Sequence, residues 1–344
     1  MISGTRKPYM THRIFLFEFI TGGGLAGQPL PASLALEGAL MLDALLRDAH
    51  ELDGIEVLTL RDARLPALTS GVAEVIPVGS ADDFDRRFDE ALAAADAVLL
   101  VAPETGDTLA TLTARVEAAG RLLLGCDAAS CGIATSKSQT AARLSAAGIA
   151  VLPHYANASR LPTVPGRWVV KPDDGAGCDG LQLCVDRDAA ARALRAAGPG
   201  HVAQPWMAGE ARSMNLLCAH GDALLLSINR QYLSHDGDHV TLAALGVGEV
   251  HDEAGAYRKL ASRIAAALPG LLGHVGVDLL HTADGPVVVE INPRLSTSAC
   301  ALHTACGYNL LAATLAAARG EALRRPPAPM RPQRIELAPH AEAA

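Results

Sequence analysis

Two acids and an amide late in the chain form the arrangement in this sequence that is best suited to chemistry. Glu290 and Asn292 interrupt an apolar, β-branched run, and residues i and i+2 of a strand share a face. The apolar segment 275–280 carries Asp278, and the turn-forming segment 282–286 joins the two into a predicted hairpin. Such oxygen ligands suit hard divalent cations, above all Mg²⁺ bound together with nucleotide phosphates. The alternative is a strand end whose acids are merely solvated.

A lysine at the end of another short apolar strand precedes a glycine-rich loop. Lys171 closes that strand, and Gly175, Gly177 and Gly180 follow before the next apolar segment. A loop of this kind can fold its backbone N–H groups over phosphate while the lysine supplies a positive charge. A second lysine, Lys137, stands at the predicted start of a helix. Taken alone, such a loop is more often an ordinary turn, and such a lysine is usually solvated.

The first predicted strand ends in an acid and three glycines. Glu18 lies within the apolar segment 14–20, and Gly22, Gly23 and Gly24 follow it. Ligands of open parallel sheets bind at the carboxyl ends of the strands. We therefore expect Glu18 to anchor an amine substrate beside glycines that let the substrate approach the backbone. The alternative is a buried acid whose hydrogen bonds are satisfied internally.

Two other polar features are weaker candidates. The segment 235–239, His-Asp-Gly-Asp-His, could bind a metal but is more typical of a solvated turn. We interpret His303 as a packed or helix-surface residue rather than a base.

The elements that must position these residues alternate between strand and helix in the first third of the chain. This alternation predicts an α/β domain with a parallel, doubly wound sheet. The lysines and the glycine loop then fall in a small lobe and the hairpin in a larger one, with a hinge near 201–209. The predicted boundaries are 1–12 for a flexible extension in which Met10 is an alternative start, 13–130 for the Rossmann-like domain, 131–203 for the small lobe, 204–323 for the large lobe and 324–344 for a Pro-rich tail.

Composition limits the classes of partner. The chain has 344 residues, of which 50% are hydrophobic, so two or three lobes with a substantial interior are expected. A formal net charge of -8 without basic clusters disfavours nucleic acid and anionic membranes. The seven cysteines are scattered without a Cys-x-x-Cys pair, which favours reduced thiols and a cytoplasmic location. No apolar run is long enough for a transmembrane helix, and no G-x-G-x-x-G dinucleotide motif is present.

The order and spacing of these pieces resemble the ATP-grasp superfamily over about residues 120–315. The matching segments are Ser136-Lys137, Ala147-Gly148-Ile149, Val169-Val170-Lys171-Pro172, the glycine-rich loop, 204–210, Asp278 and 290–294. The segments 14–24 and 227–231 further resemble the tyramine–glutamate ligases of methanofuran synthesis and their bacterial relatives.

The resemblance implies an ATP-grasp fold behind an N-terminal Rossmann-like pre-ATP-grasp domain, with a role for each matching residue. It assigns to ATP the residues Lys137, Lys171, Gly175, Gly177, Gly180, Gln204, Met207 and Glu210. It assigns to two Mg²⁺ ions, for which Mn²⁺ can substitute, the residues Asp278, Glu290 and Asn292. It assigns Arg294 and Lys171 to catalysis, and to the substrates Glu18, Gly22, Gly23, Gly24, Arg230 and Ser296.

Two positions depart from the family pattern. Many members read Gly-Glu-Glu-x-Ser where this chain reads Gly-Glu-Ala-Arg-Ser at 209–213, which weakens the expectation that Glu210 contacts the ribose. Val277 stands where relatives that ligate peptides often carry an arginine. Stabilisation of an oxyanion would then fall to Arg294 and Arg230.

The function implied by the resemblance is an ADP-forming ligase that makes an amide through an acyl phosphate. The expected substrates are glutamate and either tyramine or tyrosine, in the synthesis of a methanofuran-like one-carbon carrier. The alternatives are another amino-acid or peptide ligase, similar to D-alanine–D-alanine ligase, and a non-catalytic ATP-binding regulatory protein. The sequence leaves open which glutamate carboxyl reacts, how many glutamates are added and the oligomeric state, for which a homodimer is one option.

Overall fold

The N-terminal domain is a parallel sheet flanked by helices. The computed structural model describes residues 12–68, 71, 73–174, 180–236 and 239–337. The domain's elements are β1 (His12–Glu18), α1 (Ala32–His50), β2 (Ile55–Asp62), β3 (Ala73–Val78), α2 (Ala81–Ala94), β4 (Ala97–Val101), α3 (Thr108–Ala118) and β5 (Leu122–Leu123). The strands lie in the order β3-β2-β1-β4-β5. This order reverses between β1 and β4, and at such a point open α/β sheets bind ligands. The predicted doubly wound sheet is confirmed.

Strand β1 is apolar because helices cover both faces of this sheet. Phe15 and Phe17 on one face pack with Phe88 of α2, whereas Ile14 and Leu16 on the other face belong to a second core cluster that includes α1. These four β1 side chains are completely buried. The strand therefore fixes the position of the acidic residue at its carboxyl end.

A small lobe follows two connecting helices. The helices are α4 (Ala128–Thr135) and α5 (Lys137–Ala146), and the lobe contains β6 (Trp168–Pro172), β7 (Gln182–Cys184), α6 (Arg187–Ala197) and β8 (His201–Pro205). Strands β7 and β8 flank β6 in an antiparallel sheet. The core of this lobe is centred on Trp168, which packs near Tyr155 and the apolar face of α6.

The large lobe is an antiparallel sheet in the order β13-β12-β9-β10-β11-β14. Its elements are β9 (Glu210–Ala219), β10 (Asp222–Asp236), β11 (His239–Val250), α7 (Ala256–Ala267), β12 (Gly273–Thr282), β13 (Gly285–Asn292), α8 (Leu302–Cys306), α9 (Leu310–Ala318) and β14 (Gln333–Glu336). Met214, Val277 and Ile291 are buried in one core cluster with residues of α7, including Leu260 and Ile264. The residues that alternate with these along the strands point to the opposite face of the sheet, and that face carries the polar groups.

Three features bear on the predicted lobes, whose boundaries stay predictions. Helices α4 and α5 contact β13 of the large lobe, whereas the core of the small lobe includes Tyr155 and residues after it. Strand β5, the last of the N-terminal sheet, spans only Leu122–Leu123. The Pro-rich tail contains β14, which pairs with β11 and becomes part of the large sheet.

Two expectations about the cellular setting can be compared with the structure. Among the described residues, none of the helices combines the length and the apolarity that a membrane crossing requires. Among the described residues, the cysteines at 126, 131, 218, 300 and 306 are buried free thiols. Burial raises the pKa of Cys218 to about 12, so this thiol stays protonated at neutral pH.

Candidate active site

The predicted hairpin is present, and it brings its two acids face to face. In the β12–β13 ladder Asp278 lies directly opposite Glu290. The Asp278 carboxylate accepts hydrogen bonds from Asn292 Nδ2 at 3.2 Å and from Gln231 Nε2 of β10 at 2.8 Å. Burial, together with the neighbouring Glu290 carboxylate, raises the pKa of Asp278 well above its ordinary value. Two such acids are stabilised when a cation binds between them.

The donor set of this hairpin fits Mg²⁺ bound through a nucleotide. Asp278, Glu290 and Asn292 offer hard oxygen ligands on rigid strands. The described residues contain no group of three His, Cys, Asp or Glu side chains that could hold an ion by themselves. Mg²⁺ usually keeps only one or two protein carboxylates and takes its remaining ligands from phosphates and water. The arrangement therefore matches an ion that arrives with a phosphate.

Lys137 links the hairpin to the small lobe. Its Nζ lies 3.7 Å from Glu290 Oε2 and 3.5 Å from the carbonyl oxygen of Asp173, and its side chain is only 4% exposed. The residue begins α5, as the sequence predicted. The lysine charge thus lies beside the proposed metal ligands, where phosphate oxygens would also lie.

Asp173 attaches the start of the glycine loop to the first turn of α5. Its carboxylate accepts hydrogen bonds from Ser138 N (2.9 Å), Ser138 Oγ (2.9 Å) and Ser136 Oγ (2.6 Å). The backbone N–H of Lys137 donates to the Asp173 carbonyl at 2.9 Å. No role of Asp173 was predicted from the sequence, although an acid beside a helix start commonly caps the helix.

A second buried cation lies on β6. Lys171 is 8% exposed. The pKa of His154 is lowered to about 4, mainly because His154 is buried and secondly because the Lys171 charge is close to it. His154 Nε2 lies 2.7 Å from Nε2 of Gln204, which is on the neighbouring strand β8. Lys171, His154 and Gln204 therefore form one polar cluster in the small lobe. His154 was missed in the sequence because a lone histidine carries no local signal.

Only part of the predicted glycine loop can be described. Gly175 and Gly177 lie outside the described residues. Gly180, at the end of the loop, has φ +68°, a backbone conformation that favours glycine. Met207 is half-buried in the segment between β8 and β9, within the predicted hinge.

Arg230 and Glu210 lie on the other face of the large sheet. The Glu210 carboxylate is 2.5 Å from Arg212 and 2.9 Å from Arg230. Gln231, the next residue along β10, contacts Asp278, and consecutive strand residues point to opposite faces. In this structure Arg230 and Arg212 pair with the Glu210 carboxylate, and the role of Arg230 in stabilising an oxyanion stays a prediction.

The departure at position 211 now has a geometric meaning. Ala211 pairs with Leu280, and Ser213 pairs with Asp278. Ala211 and Ser213 are two residues apart, so the Ala211 side chain lies on the same face of the sheet as Asp278, a proposed metal ligand. A glutamate there, as in the common family pattern, would point toward the nucleotide, and here the side chain is a methyl group.

Arg294 projects from the segment after β13 and contacts the N-terminal domain. Its Nη2 donates to Glu104 Oε2 at 2.8 Å, and its carbonyl oxygen lies 2.8 Å from His274 Nδ1. Burial opposes the charge, but the carboxylates of Glu104, Glu37 and Glu290 together raise the pKa of the guanidinium. Glu104 was missed in the sequence, although it follows an apolar strand just as Glu18 does.

Ser296 belongs to a buried hydrogen-bonded network. Its Oγ donates to Asn215 Oδ1 at 3.2 Å and lies 3.1 Å from Ser298 Oγ. Asn215 also contacts His274 Nε2 at 3.0 Å. His274 thus contacts the Arg294 carbonyl directly and Ser296 through Asn215. Ser296 therefore helps to position the segment and offers a hydroxyl near the crevice.

Glu18 is enclosed by its own turn. Its Oε1 accepts a hydrogen bond from Ile20 N at 3.0 Å, and its Oε2 accepts from Thr21 N at 2.7 Å and Thr21 Oγ1 at 2.6 Å. Helix α1 approaches so closely at Gly38 that a Cβ there would collide with the carboxylate. Burial raises the pKa of Glu18. This geometry favours the alternative of a satisfied buried acid.

The three glycines after Glu18 are needed for packing. A Cβ at Gly22 would overlap the ring of Phe17, and one at Gly24 would overlap the ring of Phe19. Gly23 has φ +90° and lies against Val78. The space that was expected to admit an amine is filled by these side chains.

Two family models match this chain. The ATP-grasp domain matches residues 134–298, and the pre ATP-grasp 3 domain matches residues 55–131. A tyramine–L-glutamate ligase of Methanocaldococcus jannaschii is 27% identical over 303 residues, which are 87% of this chain and 87% of that protein.

Solved structures show the same fold. An ATP-grasp superfamily protein from Archaeoglobus fulgidus superposes with a TM-score of 0.69 at 23% identity, covering 94% of this chain and 92% of that one. The biotin carboxylase domain of the Hydrogenobacter thermophilus 2-oxoglutarate carboxylase, solved with MgADP, superposes with a TM-score of 0.68 at 16% identity, covering 92% and 71%.

Proposed function

Because this chain belongs to the ATP-grasp superfamily, we propose that it is an ADP-forming ligase that joins a carboxylate to an amine with ATP and Mg²⁺. The observation that carries the proposal is the pair Asp278 and Glu290, which face each other across the hairpin, with Glu290 Oε2 3.7 Å from the Lys137 ammonium. A regulatory protein without catalysis has no need for two opposed acids beside a lysine. The resemblance between the chain and a named ligase along 87% of its length supports the same class.

Each residue of the site has a task in this reaction. Lys137 and Lys171 would hold phosphate oxygens of ATP, and Asp278, Glu290 and Asn292 would hold Mg²⁺. When bound, Mg²⁺ would supply positive charge that offsets the charge developing while the γ-phosphate is transferred. The substrate carboxylate attacks that phosphate, ADP departs and an acyl phosphate results. The amine, freed of its extra proton, then attacks the acyl carbon and a C–N bond forms. The C–O bond to the phosphate breaks, so phosphate leaves with the oxygen that attacked ATP, and the nitrogen releases a second proton to become the amide.

Arg294 serves the acyl group. Its guanidinium is planar and carries donors in a fork that matches a carboxylate or an oxyanion. The His274 contact fixes the backbone from which it projects. We assign to Arg294 the binding of the acyl oxygen, which becomes negatively charged when the amine adds.

The finer proposal names the substrates. The Methanocaldococcus jannaschii relative supports glutamate as the carboxylate and tyramine as the amine, with tyrosine as an alternative. We further propose that the product is an intermediate of a methanofuran-like carrier, that the enzyme acts in the cytoplasm and that two Mg²⁺ ions, replaceable by Mn²⁺, take part.

The products of the reaction test this proposal. Purified protein is incubated with ATP, Mg²⁺, glutamate and tyramine, and nucleotides are separated by chromatography. We expect ADP and orthophosphate in equal amounts with the amide, and stimulation by tyramine or tyrosine above that by D-alanine. AMP and pyrophosphate would contradict an acyl phosphate. Equal stimulation by D-alanine would favour a general peptide ligase, and ATP binding without turnover would favour a regulatory protein.

A further inference from the structure

We propose that Glu104 binds the ammonium group of the amine substrate, an inference that rests on the proposed ligase function and specifies its second substrate site. The site lies between the N-terminal domain and the large lobe, at the carboxyl end of β4.

The first observation is an incompletely bonded buried carboxylate. Glu104 is 4% exposed, and its Oε2 accepts a hydrogen bond from Arg294 Nη2 at 2.8 Å. Its Oε1 is buried and has no hydrogen-bond partner among the residues that the structure describes. A buried oxygen of an ionised carboxylate is unfavourable without a donor. A bound N–H donor would remove this cost.

The second observation is the position of Glu104 in the fold. It lies three residues beyond Val101, where β4 ends beside β1 and the strand order reverses. Ligands of open α/β sheets bind at this crevice. The N–H of Gly106 donates to Asp174 Oδ2 at 3.2 Å, so the same segment contacts the start of the glycine loop. The segment 104–106 therefore contacts both Arg294, which is proposed for the acyl oxygen, and Asp174, the last described residue before the glycine loop.

The third observation is the local charge. Glu37 on α1 accepts a hydrogen bond from Thr297 Oγ1, and its charge, like that of Glu104, acts on Arg294. Two carboxylates facing one guanidinium leave an excess of negative charge. An ammonium on Glu104 Oε1 would neutralise that excess, and after it passes one proton to that oxygen, the free amine would lie next to the acyl group held by Arg294. A second carboxylate ligand in this position would be repelled.

Glu104 suits this role better than Glu18. Both oxygens of Glu18 are already bonded to Ile20 and Thr21. Glu104, by contrast, keeps one oxygen for a ligand. Glu18 ends β1 and Glu104 follows the neighbouring strand β4, so their isosteric variants form a matched pair.

The experiment compares Glu104→Gln with Glu18→Gln under steady-state conditions, with tyramine or whichever amine the substrate screen identifies. We expect Glu104→Gln to raise the KM for the amine about tenfold or more, the size of one hydrogen bond between charged groups. The KM values for ATP and glutamate should change less than about twofold. Glu18→Gln should leave the amine KM near that of the wild type.

Hydroxylamine separates binding of the amine from positioning of Arg294. This small nucleophile is uncharged at neutral pH and traps the acyl phosphate as a hydroxamate without needing a carboxylate anchor. Glu104→Gln should keep near wild-type hydroxamate formation while it loses amide formation at low amine concentration. If both fall together, Glu104 only holds Arg294 and the proposal is wrong.

Two further outcomes would also overturn the assignment. A raised KM for glutamate with an unchanged amine KM would place the α-ammonium of glutamate there, and a larger effect of Glu18→Gln would return the site to β1. If the Gln variant is unstable on heating, Glu104→Asp keeps the charge, and its amine KM should rise less than that of Glu104→Ala. A wild-type protein that forms neither hydroxamate nor amide would refute the ligase function itself, so the two failures are distinguishable.

Discussion

At the scale of single residues, the opposed acids of the hairpin determine what the site can do. Asp278 and Glu290 pair across the ladder, and Asn292 and Gln231 donate hydrogen bonds to Asp278 alone. Glu290 instead faces the Lys137 ammonium at 3.7 Å. Its charge is thus shared between a lysine and the proposed ions, which makes it the most sensitive single group of the site.

Replacement of Glu290 by Gln should therefore remove catalysis and leave the fold intact. The change deletes one negative charge with almost no change in volume, so we expect kcat to fall by at least about 10²-fold, as for other lost electrostatic contacts. The midpoint of thermal unfolding should stay close to that of the wild type. Steady-state ADP release at saturating Mg²⁺ measures the first quantity and calorimetry the second.

Asp284→Asn is the matched control, because Asp284 is an exposed acid at the turn of the same hairpin. It should keep normal turnover. Near-normal activity of Glu290→Gln under these conditions would show that the hairpin does not take part in the reaction.

The phase of a strand decides which single residues can be predicted. Asp278, Glu290 and Asn292 were predicted because spacing by two residues and a turn fix their common face. Arg230 was placed in the site, whereas its neighbour Gln231 makes the contact. Strand β10 follows a tight turn at 220–221, but a bulge between Leu225 and Ser227 shifts its register with β9, so the face of residue 230 cannot be counted from that turn.

Glu104 could not be selected for a different reason. The sequence shows an acid shortly after an apolar strand, but Glu18 has the same signal. Which of the two keeps an oxygen for a ligand depends on the turn after β1 and on Arg294, which lies 190 residues away along the chain. Local sequence patterns do not reveal contacts between residues that are so far apart along the chain.

At the scale of elements, helix α5 and the glycine loop are held together by one side chain. Asp173 accepts three hydrogen bonds from the serines that flank Lys137. The loop start, the first turn of α5 and the lysine therefore keep a fixed relative position, which preorganises the phosphate site.

Asp173→Ala should accordingly weaken ATP binding in addition to stability. Loss of a capping carboxylate costs about 1 kcal/mol in folding free energy, and the freed loop should raise the KM for ATP several-fold. Asp186→Ala is the control, because Asp186 caps α6 through Ala189 N at 2.7 Å within the same lobe. It should lower stability similarly without changing the KM. Equal KM values for the two variants would contradict the proposed coupling.

The elements themselves were largely predictable from the sequence. The strand and helix patterns that the sequence predicted for the first third of the chain correspond to the elements from β1 to β5. Strand β14 was missed because its four residues follow a proline-rich segment and gain their structure only by pairing with β11. Short edge strands depend on a partner that local sequence does not reveal.

At the scale of the whole molecule, the proposed site draws on three parts of the chain. Lys171 comes from the small lobe, the hairpin and Arg294 come from the large lobe, and Glu104 comes from the N-terminal domain. The contacts Arg294–Glu104 and Gly106–Asp174 connect these lobes directly at the site. Substrates that bind here must contact more than one lobe, which lets binding energy close the crevice and exclude water.

The far edge of the large sheet should contribute stability and not catalysis. Strand β14 pairs with β11 from Ala244 to Val247, Leu337 N donates to the Ala243 carbonyl at 2.9 Å, and Arg331 N donates to the Ala305 carbonyl at 2.9 Å. This edge is opposite to β13, which carries the proposed metal ligands.

A chain that ends at Arg325 should therefore unfold at a lower temperature while it keeps its turnover at 20 °C or below. It loses the β14 ladder and exposes β11 as an unpaired edge, which also favours aggregation. In a protein of this size each kcal/mol lost lowers Tm by roughly 2–4 °C. A chain that ends at Leu337 keeps β14 and should have the wild-type Tm. If the shorter chain melts at the wild-type temperature, the pairing does not stabilise the fold; if it loses turnover in the cold, the far edge supports the site after all.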